Sequence, residues 1–363
     1  MKNRSNSIQA LRFLACLCIF SHHCYITDNV FWGVSVFFVL SGFMMTRSYF
    51  HRDALSQSPK AALAFSIKKI GKLYPLHILT MLPVLALALY LRNPAQTALS
   101  DIAVQVTENV LLLQAWSSEN AVTLNGVAWY LSACLFLYFM FPYILACLRA
   151  YRTRKTAVIA IIILYALEFV FAALAQPLGR AIYGEADISK FTAWYGYIFP
   201  LFRVFDFAIG CNLGYIFLTR REGEGESRRA CAVLESACVA LYIAAVYLMN
   251  GDTFLSRAEF SYGVIHLPFA AALVYLFAVG KGLVPRLLTN RVTVFLGDIS
   301  AYFFLIHQDV VRIGYMGLDR LGLTAEESRP YLFIGCGLIS IGLSVIYRAL
   351  ESAVTARRKA RLG

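Results

Sequence analysis

Arg12-Phe-Leu-Ala-Cys-Leu-Cys-Ile-Phe-Ser-His22-His23 places an arginine and two histidines at the ends of an apolar run near the start of the chain. At about 100° per residue in an α-helix, Arg12 and His23 return to within roughly 20° of one face, three turns apart. His22 points about 80° away from Arg12. Titratable side chains inside an apolar helix are costly in a membrane and by default mark function. The pattern therefore predicts a membrane helix whose working face carries Arg12 and His23.

Two simpler interpretations of this stretch deserve comparison. Residues 1–24 have the basic start of a secretory signal peptide, but Arg12 interrupts the apolar core and no small-residue cleavage site follows His23. Alternatively, Arg12 extends toward the cytoplasmic headgroups, as long basic side chains near helix ends do. This second interpretation explains Arg12 alone and does not explain why a histidine lies at position 23 within the span.

The composition of the whole chain is typical of a membrane protein. Of its 363 residues, 59% are hydrophobic and 15% are charged, and apolar runs of about 20 residues recur along the length. The net charge of +12 comes largely from short loops, where membrane orientation places basic residues, so we expect no nucleic-acid partner. Nine scattered cysteines without a CxxC pair indicate packing roles and predict no metal site. We predict an all-α, polytopic membrane protein with a single transmembrane domain over residues 1–363.

Ten apolar segments have the length and composition of transmembrane helices. They lie at residues 8–25, 30–49, 73–91, 125–147, 157–175, 195–218, 231–249, 262–280, 293–316 and 331–349. Lys and Arg are concentrated in and beside alternate gaps, at 47–72, 149–155, 220–229, 281–291 and 357–361. The intervening gaps are poor in Lys and Arg: 26–29, 92–124, 176–194, 250–261 and 317–330. The alternation predicts that both termini are cytoplasmic.

Two of the gaps contain helical patterns of their own. In the longest outer gap, residues 101–116 are apolar with helical spacing, which is typical of an interfacial or re-entrant segment. In the longest inner gap, Pro59 followed by residues 61–70 predicts a basic amphipathic helix that runs into the third span.

Polar residues inside the predicted spans lie at defined depths. His23 is roughly 22 Å from a cytoplasmic edge near Ile8, and His307 is roughly 21 Å from an edge near Thr293. We therefore expect the two histidines at similar depth in the outer half of the bilayer, with Arg12 in the inner half.

Other charged residues in these segments have milder explanations. Arg203 and Asp206 are three residues apart on one helix face, so we expect them to pair, and Asp309 and Arg312 have the same spacing. Each pair is as compatible with a structural role as with a substrate path. Glu168 is isolated in the fifth span, and we assign it no role.

Further motifs follow the first helix along nearly the whole chain. They are Gly33-Val-Ser-Val-Phe-Phe-Val-Leu-Ser41-Gly42-Phe43, Lys68-Lys69-Ile-Gly-Lys72-Leu-Tyr74-Pro75, Trp129-Tyr130-Leu131-Ser132, Gly297-Asp-Ile-Ser300-Ala-Tyr302-Phe-Phe-Leu-Ile-His307 and Tyr347-Arg-Ala-Leu-Glu351. Together with Arg12 and His23, they resemble the bacterial integral-membrane acyltransferase 3 family. The resemblance implies an O-acyltransferase of the bacterial cytoplasmic (inner) membrane. Such an enzyme moves an acyl group, most often acetyl, from cytoplasmic acyl-CoA to a hydroxyl of a cell-envelope or exported glycan such as exopolysaccharide or lipopolysaccharide.

Acyl transfer to a hydroxyl requires a base and a site for the donor. We assign His23 as the base, because neutral histidine accepts protons near neutral pH. Arg12 is assigned to the pyrophosphate or pantetheine end of acyl-CoA, or to the negative charge that develops during transfer. Lys69 and Lys72, at the cytoplasmic mouth, are assigned to the phosphates of acyl-CoA.

Acceptor binding is assigned to His307, Trp129 and Tyr302, which lie in motifs shared with the family. For His307, assistance in proton transfer is the alternative role. The chain departs from the family pattern at two places. Cys134 and Leu135 stand where many members carry acidic residues, so no catalytic carboxylate is assigned there. Lysines replace the usual arginines at the start of the third span, which keeps the charge but loses the bidentate fork.

Two other functional classes are compatible with ten helices and intramembrane charges. A transporter or flippase of a lipid-linked sugar or small solute would need no covalent chemistry, but no paired Gly/Pro-interrupted repeats are evident. A glycan polymerase would be expected to carry a large, highly charged outer loop, and the 92–124 gap has Arg92 as its single basic residue. Covalent attachment of labelled acetyl to a glycan would separate these classes from an acyltransferase.

Overall fold

The structure is a computed structural model, and it describes residues 2–27, 31–93, 97–185, 187–220, 227–251 and 253–362. Within these residues the chain is helical and contains no strand. The helices are α1 Lys2–His23, α2 Phe31–Tyr49, α3 Pro59–Ile70, α4 Tyr74–Tyr90, α5 Leu99–Val110, α6 Trp129–Arg149, α7 Arg154–Ala173, α8 Ala175–Tyr183, α9 Ile188–Ala193, α10 Pro200–Leu218, α11 Arg228–Met249, α12 Ala258–Ser261, α13 Leu267–Val279, α14 Leu283–Leu288, α15 Arg291–Arg320, α16 Ala325–Tyr331 and α17 Gly337–Leu362. Short 3₁₀ turns occur at Gln114–Trp116, Gly126–Ala128 and Phe254–Ser256, and π turns at Trp194–Ile198 and Leu332–Cys336. The all-α prediction is confirmed.

Several of these helices are long and apolar enough to cross a membrane. Seven helical segments in the described ranges meet that test, and α3 with α4 makes an eighth if the bent pair is one span. Each of the ten predicted segments overlaps a helix, but α13 is short, and α1 begins with polar residues. The protein is therefore multi-pass, while the count of ten spans and the cytoplasmic termini remain predictions. Residues 221–226, in one of the basic gaps, lie outside the described residues.

Helices α2 and α10 approach so closely that their backbones touch. A Cβ atom at Gly42 would overlap the carbonyl oxygen of Phe207, and a Cβ atom at Gly210 would overlap the carbonyl oxygen of Val39. Small residues permit this contact, which replaces side-chain packing with direct van der Waals contact between backbones. The Ser41-Gly42 segment of the second motif thus has a packing role.

Helix α1 lies in the middle of the bundle. It packs against α15 along most of its length and against α2 and α13 on other sides. Its apolar face is fully buried, with Leu11, Ala15 and Ile19 among the core residues. The polar face of α1 consequently borders the spaces between helices instead of lipid.

The basic helix predicted in the 50–72 gap is present as α3. Ser58 caps its first turn by accepting a hydrogen bond from the amide of Ala61, and Pro59 occupies the first helical position. The axis then bends by 64° between α3 and α4. This bend falls between Ile70 and Tyr74, so Lys69 and Lys72 lie on either side of the last residue of α3.

The segment predicted as interfacial or re-entrant forms α5 and then folds back onto the bundle. Ser132 of α6 donates a hydrogen bond to the carbonyl of Leu112 at 2.6 Å. Asn125 donates to the carbonyl of Leu305 in α15 at 2.9 Å. These contacts bring residues 111–128 against the helix that carries His307.

Candidate active site

Helices α1 and α15 run side by side in the same direction. Gly297 of α15 lies against the backbone of Gln9, where any Cβ would overlap a carbonyl oxygen. Seven residues further along α1, the thiol of Cys16 faces the carbonyl of Ser300 at 3.7 Å. Two parallel helices in this register bring His23 and His307 to the same level.

His23 and His307 form a direct hydrogen bond. Nδ1 of His23 lies 2.7 Å from Nε2 of His307, and the two rings are stacked with centroids 4.9 Å apart. His307 is fully buried, whereas His23 is half-buried. The two histidines lie at the same level along α1 and α15, in agreement with the similar depth predicted for them, and they are direct partners.

The hydrogen-bond pattern fixes the protons of the neutral pair. Nδ1 of His307 lies 3.1 Å from the carbonyl oxygen of Phe303, and a carbonyl can only accept. The proton of His307 is therefore on Nδ1, and its Nε2 accepts from Nδ1–H of His23. Within the two histidines, the nitrogen lone pair that remains free is then on Nε2 of His23, and this nitrogen is able to act as a base.

A cavity of about 520 Å³ borders His23, and we call it the histidine cavity. It is lined by His22, His23, Tyr25, Ile26, Gln308, Val311, Arg312, Tyr315, Met316, Ala325 and Arg329. The rings of Tyr25 and Tyr315 are 5.5 Å apart, and Arg312 is held by a hydrogen bond to the carbonyl of Leu124. Its polar and aromatic groups suit a hydroxyl-bearing molecule.

A second cavity of about 490 Å³ contains Arg12, Lys69 and Lys72, and we call it the basic cavity. Its other lining residues are Ile8, Gln9, Phe37, Leu40, Ser41, Met44, Met45, Ser48, Tyr49, Leu73, Tyr130, Leu131, Tyr138, Ala301 and Phe304. Three cations with a mixed lining of apolar side chains, serines and tyrosines are the complement of a molecule with an anionic head and a neutral tail. The three residues predicted to bind the donor thus share one space.

The three cations of the basic cavity are only partly neutralised. Lys72 lies 3.8 Å from the carboxylate of Glu351 and is largely exposed. Lys69 lies over the ring of Tyr49 at 4.4 Å. None of the carboxylates that the structure describes lies within 4.0 Å of the Arg12 guanidinium. The cavity therefore has a surplus of positive charge.

Three aromatic rings stand at the end of the basic cavity nearest the histidines, and we call Phe37, Tyr130 and Phe304 the aromatic partition. Their ring centroids are 5.4 to 6.1 Å apart. The ring of Phe304 is also 5.9 Å from that of His307. The partition therefore lies between the cationic end of the basic cavity and the histidine pair.

Comparison with known proteins identifies the family of the chain. The sequence profile of a family described as an acyltransferase domain matches residues 5–349. The chain belongs to the acyltransferase 3 family. It is 26% identical over 335 residues to "Acyltransferase MdmB" of Streptomyces mycarofaciens, which covers 86% of this chain and 80% of the relative. No solved structure matches the chain. The protein is thus a multi-pass membrane acyltransferase.

Two residues assigned to the acceptor of this acyltransferase lie elsewhere. Trp129 is buried against the rings of Phe38 and Tyr197 and lines neither cavity. Tyr302 donates a 2.5 Å hydrogen bond to Glu351 and lies beneath Lys72. The structure brings neither residue to His23, so their role in acceptor binding stays a prediction.

Sequence reasoning missed the residues that shape the two cavities of the acyltransferase. Arg312 was considered as a partner of Asp309, but its guanidinium donates to Leu124, and both carboxylate oxygens of Asp309 are buried without a hydrogen bond among the described residues. Arg329 comes from a segment with no motif. The partition residues Phe37 and Phe304 lie inside two of the quoted motifs, but their apolar character does not distinguish them from the other apolar residues of those spans.

The remaining intramembrane charges lie away from both cavities. Arg203 and Asp206 form the predicted pair at 3.0 Å, and both side chains are fully buried. Arg203 also donates to the carbonyls of Gly196 and Tyr197, which ties α10 to the preceding π turn. Glu168 is fully buried, and neither of its oxygens has a hydrogen-bond partner in the described part of the chain. The Arg203 contacts indicate a structural role.

Proposed function

We propose that this acyltransferase transfers an acyl group, in the first place acetyl, from acyl-CoA bound in the basic cavity to a hydroxyl bound in the histidine cavity. The observation that supports the proposal most is the His23–His307–Phe303 hydrogen-bond chain, which leaves a basic nitrogen on a residue that borders the histidine cavity. The proposed acceptor is a cell-envelope or exported glycan, and the proposed location is the bacterial cytoplasmic membrane with both termini inside.

The donor is held by its phosphates in this proposal. The anionic pyrophosphate of acyl-CoA would be attracted by Lys69 and Lys72, and Arg12 lines the same cavity. Arg12 is roughly 16 Å from His23 along α1, since the two residues are eleven positions apart. That distance favours a contact with the phosphate or pantetheine part of the donor over a contact with the reacting carbonyl.

The transfer step follows from the proton positions of the histidine pair. Nε2 of His23 takes the proton of the acceptor hydroxyl as its oxygen bonds to the thioester carbonyl carbon. The carbon–sulfur bond then breaks, and the thiolate of CoA takes the proton from His23. Throughout the step, Nε2 of His307 accepts from Nδ1–H of His23 and stabilises the transient imidazolium.

The proposal is tested by following the acyl group itself. Membrane vesicles that contain the protein would receive acetyl-CoA labelled in its acetyl group, and the glycan fraction would be analysed for label that mild base releases. The proposal predicts ester-linked label that depends on the protein and on His23. Movement of an unmodified lipid-linked sugar across the vesicle membrane without covalent label would favour the transporter class and contradict the proposal.

A further inference from the structure

The basic cavity has a wall of aromatic side chains where the acyl group of a bound donor would end. Phe37 and Phe304 are buried, and each contacts the other and Tyr130. Phe37 belongs to α2, Tyr130 to α6 and Phe304 to α15, so three different helices support the wall. An acyl chain that enters from the cationic mouth meets these rings last.

Among these rings, Phe304 also contacts His307, and this contact limits how a donor can approach the histidines. Its ring lies 5.9 Å from the His307 ring, and His307 holds the base His23. A thioester carbonyl therefore has to approach the histidine pair alongside Phe304. Because Phe304 lines the basic cavity beside His307, methylenes added to an acyl group at that point would have to displace its ring, and close-packed interiors do not yield to extra volume without cost.

We propose that Phe304 sets the length of the acyl chain that the protein accepts, and restricts the donor to short-chain acyl-CoA. The inference rests on the proposed donor function of the basic cavity. The carbonyl of a short chain reaches the histidines with Phe304 in place. A medium chain either collides with Phe304 or keeps its thioester away from His23.

The experiment measures binding and needs no acceptor. Purified protein in detergent would be heated with CoA, acetyl-CoA, butyryl-CoA or octanoyl-CoA, and the rise in melting temperature at several concentrations gives the affinity of each. The wild type should bind acetyl-CoA more tightly than octanoyl-CoA. In Phe304→Ala, the affinity for octanoyl-CoA relative to acetyl-CoA should rise by at least about tenfold, because the added methylenes gain an apolar space.

A matched control is available one residue earlier. Phe303 also stacks on His307, at 5.5 Å, but packs against Phe20 and does not line the basic cavity. Phe303→Ala removes the same ring from the same helix and should leave the chain-length ranking unchanged. If Phe304→Ala does not fold, Phe37→Ala opens the same wall from α2 and should shift the ranking in the same direction.

The possible outcomes distinguish a failure of the proposed role of Phe304 from a failure of the proposed donor site. A ranking unchanged in folded Phe304→Ala, or changed equally by Phe303→Ala, would overturn the role of Phe304 while acetyl-CoA still stabilises the wild type. Absence of stabilisation by CoA and by every thioester would overturn the donor site itself, and the inference with it. A wild type that binds octanoyl-CoA as tightly as acetyl-CoA would also overturn the inference.

Discussion

The carbonyl oxygen of Phe303 determines which nitrogen of the histidine pair is basic. Because it can only accept, it holds the proton of His307 on Nδ1, and the second hydrogen bond then holds the proton of His23 on Nδ1. In many enzymes a carboxylate orients the catalytic histidine, whereas in the proposed mechanism a neutral histidine, His307, would orient His23. No ion has to be buried for this purpose, which suits a site at membrane depth.

A substitution of His307 tests whether it orients His23 through an accepted hydrogen bond. His307→Ala removes the acceptor for Nδ1–H and should lower kcat by about 10- to 100-fold with little change in KM for acyl-CoA. His307→Gln offers an amide oxygen as acceptor and should recover part of the loss. Equal kcat values for the two variants, measured with matched protein amounts in vesicles, would argue against the orienting role.

Arg12 is expected to act on the donor. Arg12→Ala removes a cation without a paired carboxylate among the described residues, so KM for acyl-CoA should rise roughly tenfold or more while kcat changes less. Arg312→Ala is the matched control, since Arg312 lines the histidine cavity and should alter acceptor dependence instead. A rise in acceptor KM in Arg12→Ala, with the acyl-CoA dependence intact, would contradict the assignment.

Helix geometry predicts some of the side-chain positions in the site and does not predict others. The shared face of Arg12 and His23 and the equal depth of His307 follow from residue spacing and helix direction. The hydrogen bond between the histidines, by contrast, depends on rotamers and on the lateral neighbours of α1. One sequence without contacts does not contain that information, and the same limit hides the packing of Phe304 on His307.

Whole helices are placed by small residues and by a bend. Gly297 admits α15 to the backbone of α1, and the Gly42 and Gly210 pair admits α10 to α2. The 64° bend between α3 and α4 turns two lysines toward the cavity that α1 borders. The sequence predicted α3, whereas the approach of α10 to Gly42 could not be known because a glycine within a span does not reveal its partner.

The contact between α2 and α10 gives a stability prediction. In Gly42→Ala the added methyl overlaps the carbonyl oxygen of Phe207, so unfolding should be easier by roughly 1–3 kcal/mol or more. Gly342→Ala is the matched control on α17, where a Cβ meets open space and should be neutral or slightly stabilising. Thermal unfolding in detergent measures both. Equal melting temperatures for the two variants would refute the close approach of the two helices.

At the scale of the molecule, the two cavities that α1 borders differ in chemistry. The basic cavity carries surplus positive charge, and the histidine cavity is bordered by His23, the proposed proton acceptor. The aromatic partition lies between the cations of the one and the histidines of the other. Such an arrangement allows a charged donor and a hydroxylated acceptor to approach from opposite sides of the membrane without sharing an entrance.

Orientation in the membrane is the corresponding prediction. The distribution of Lys and Arg predicts that both termini and the mouth of the basic cavity face the cytoplasm. A green fluorescent reporter fused after residue 363 should fluoresce, and alkaline phosphatase at the same point should be inactive. Fusion after Glu119, in the outer 92–124 gap, is the control and should give the reverse. The reverse result at residue 363 would invert the proposed sides of donor and acceptor.

Much of the architecture follows from the apolar pattern, because each predicted segment overlaps a helix. The position of residues 111–128, which fold back onto the bundle, does not follow from the apolar pattern, because it depends on hydrogen bonds such as the one from Asn125 to Leu305. The lengths of the last two long helices were also underestimated, as both continue into polar residues at their C-terminal ends. Polar extensions of a helix leave no mark in a hydropathy pattern.

The most direct test of the account is acyl transfer by His23→Ala and His22→Ala in parallel. His22 is the adjacent histidine in the same cavity, but its Nδ1 is bonded to the carbonyl of Thr27 and it lies on another face of α1. With expression and folding matched, transfer of labelled acetyl to glycan should fall by about 100-fold or more in His23→Ala. The loss in His22→Ala should be far smaller. Undiminished transfer by His23→Ala, or a larger loss in His22→Ala, would contradict the account.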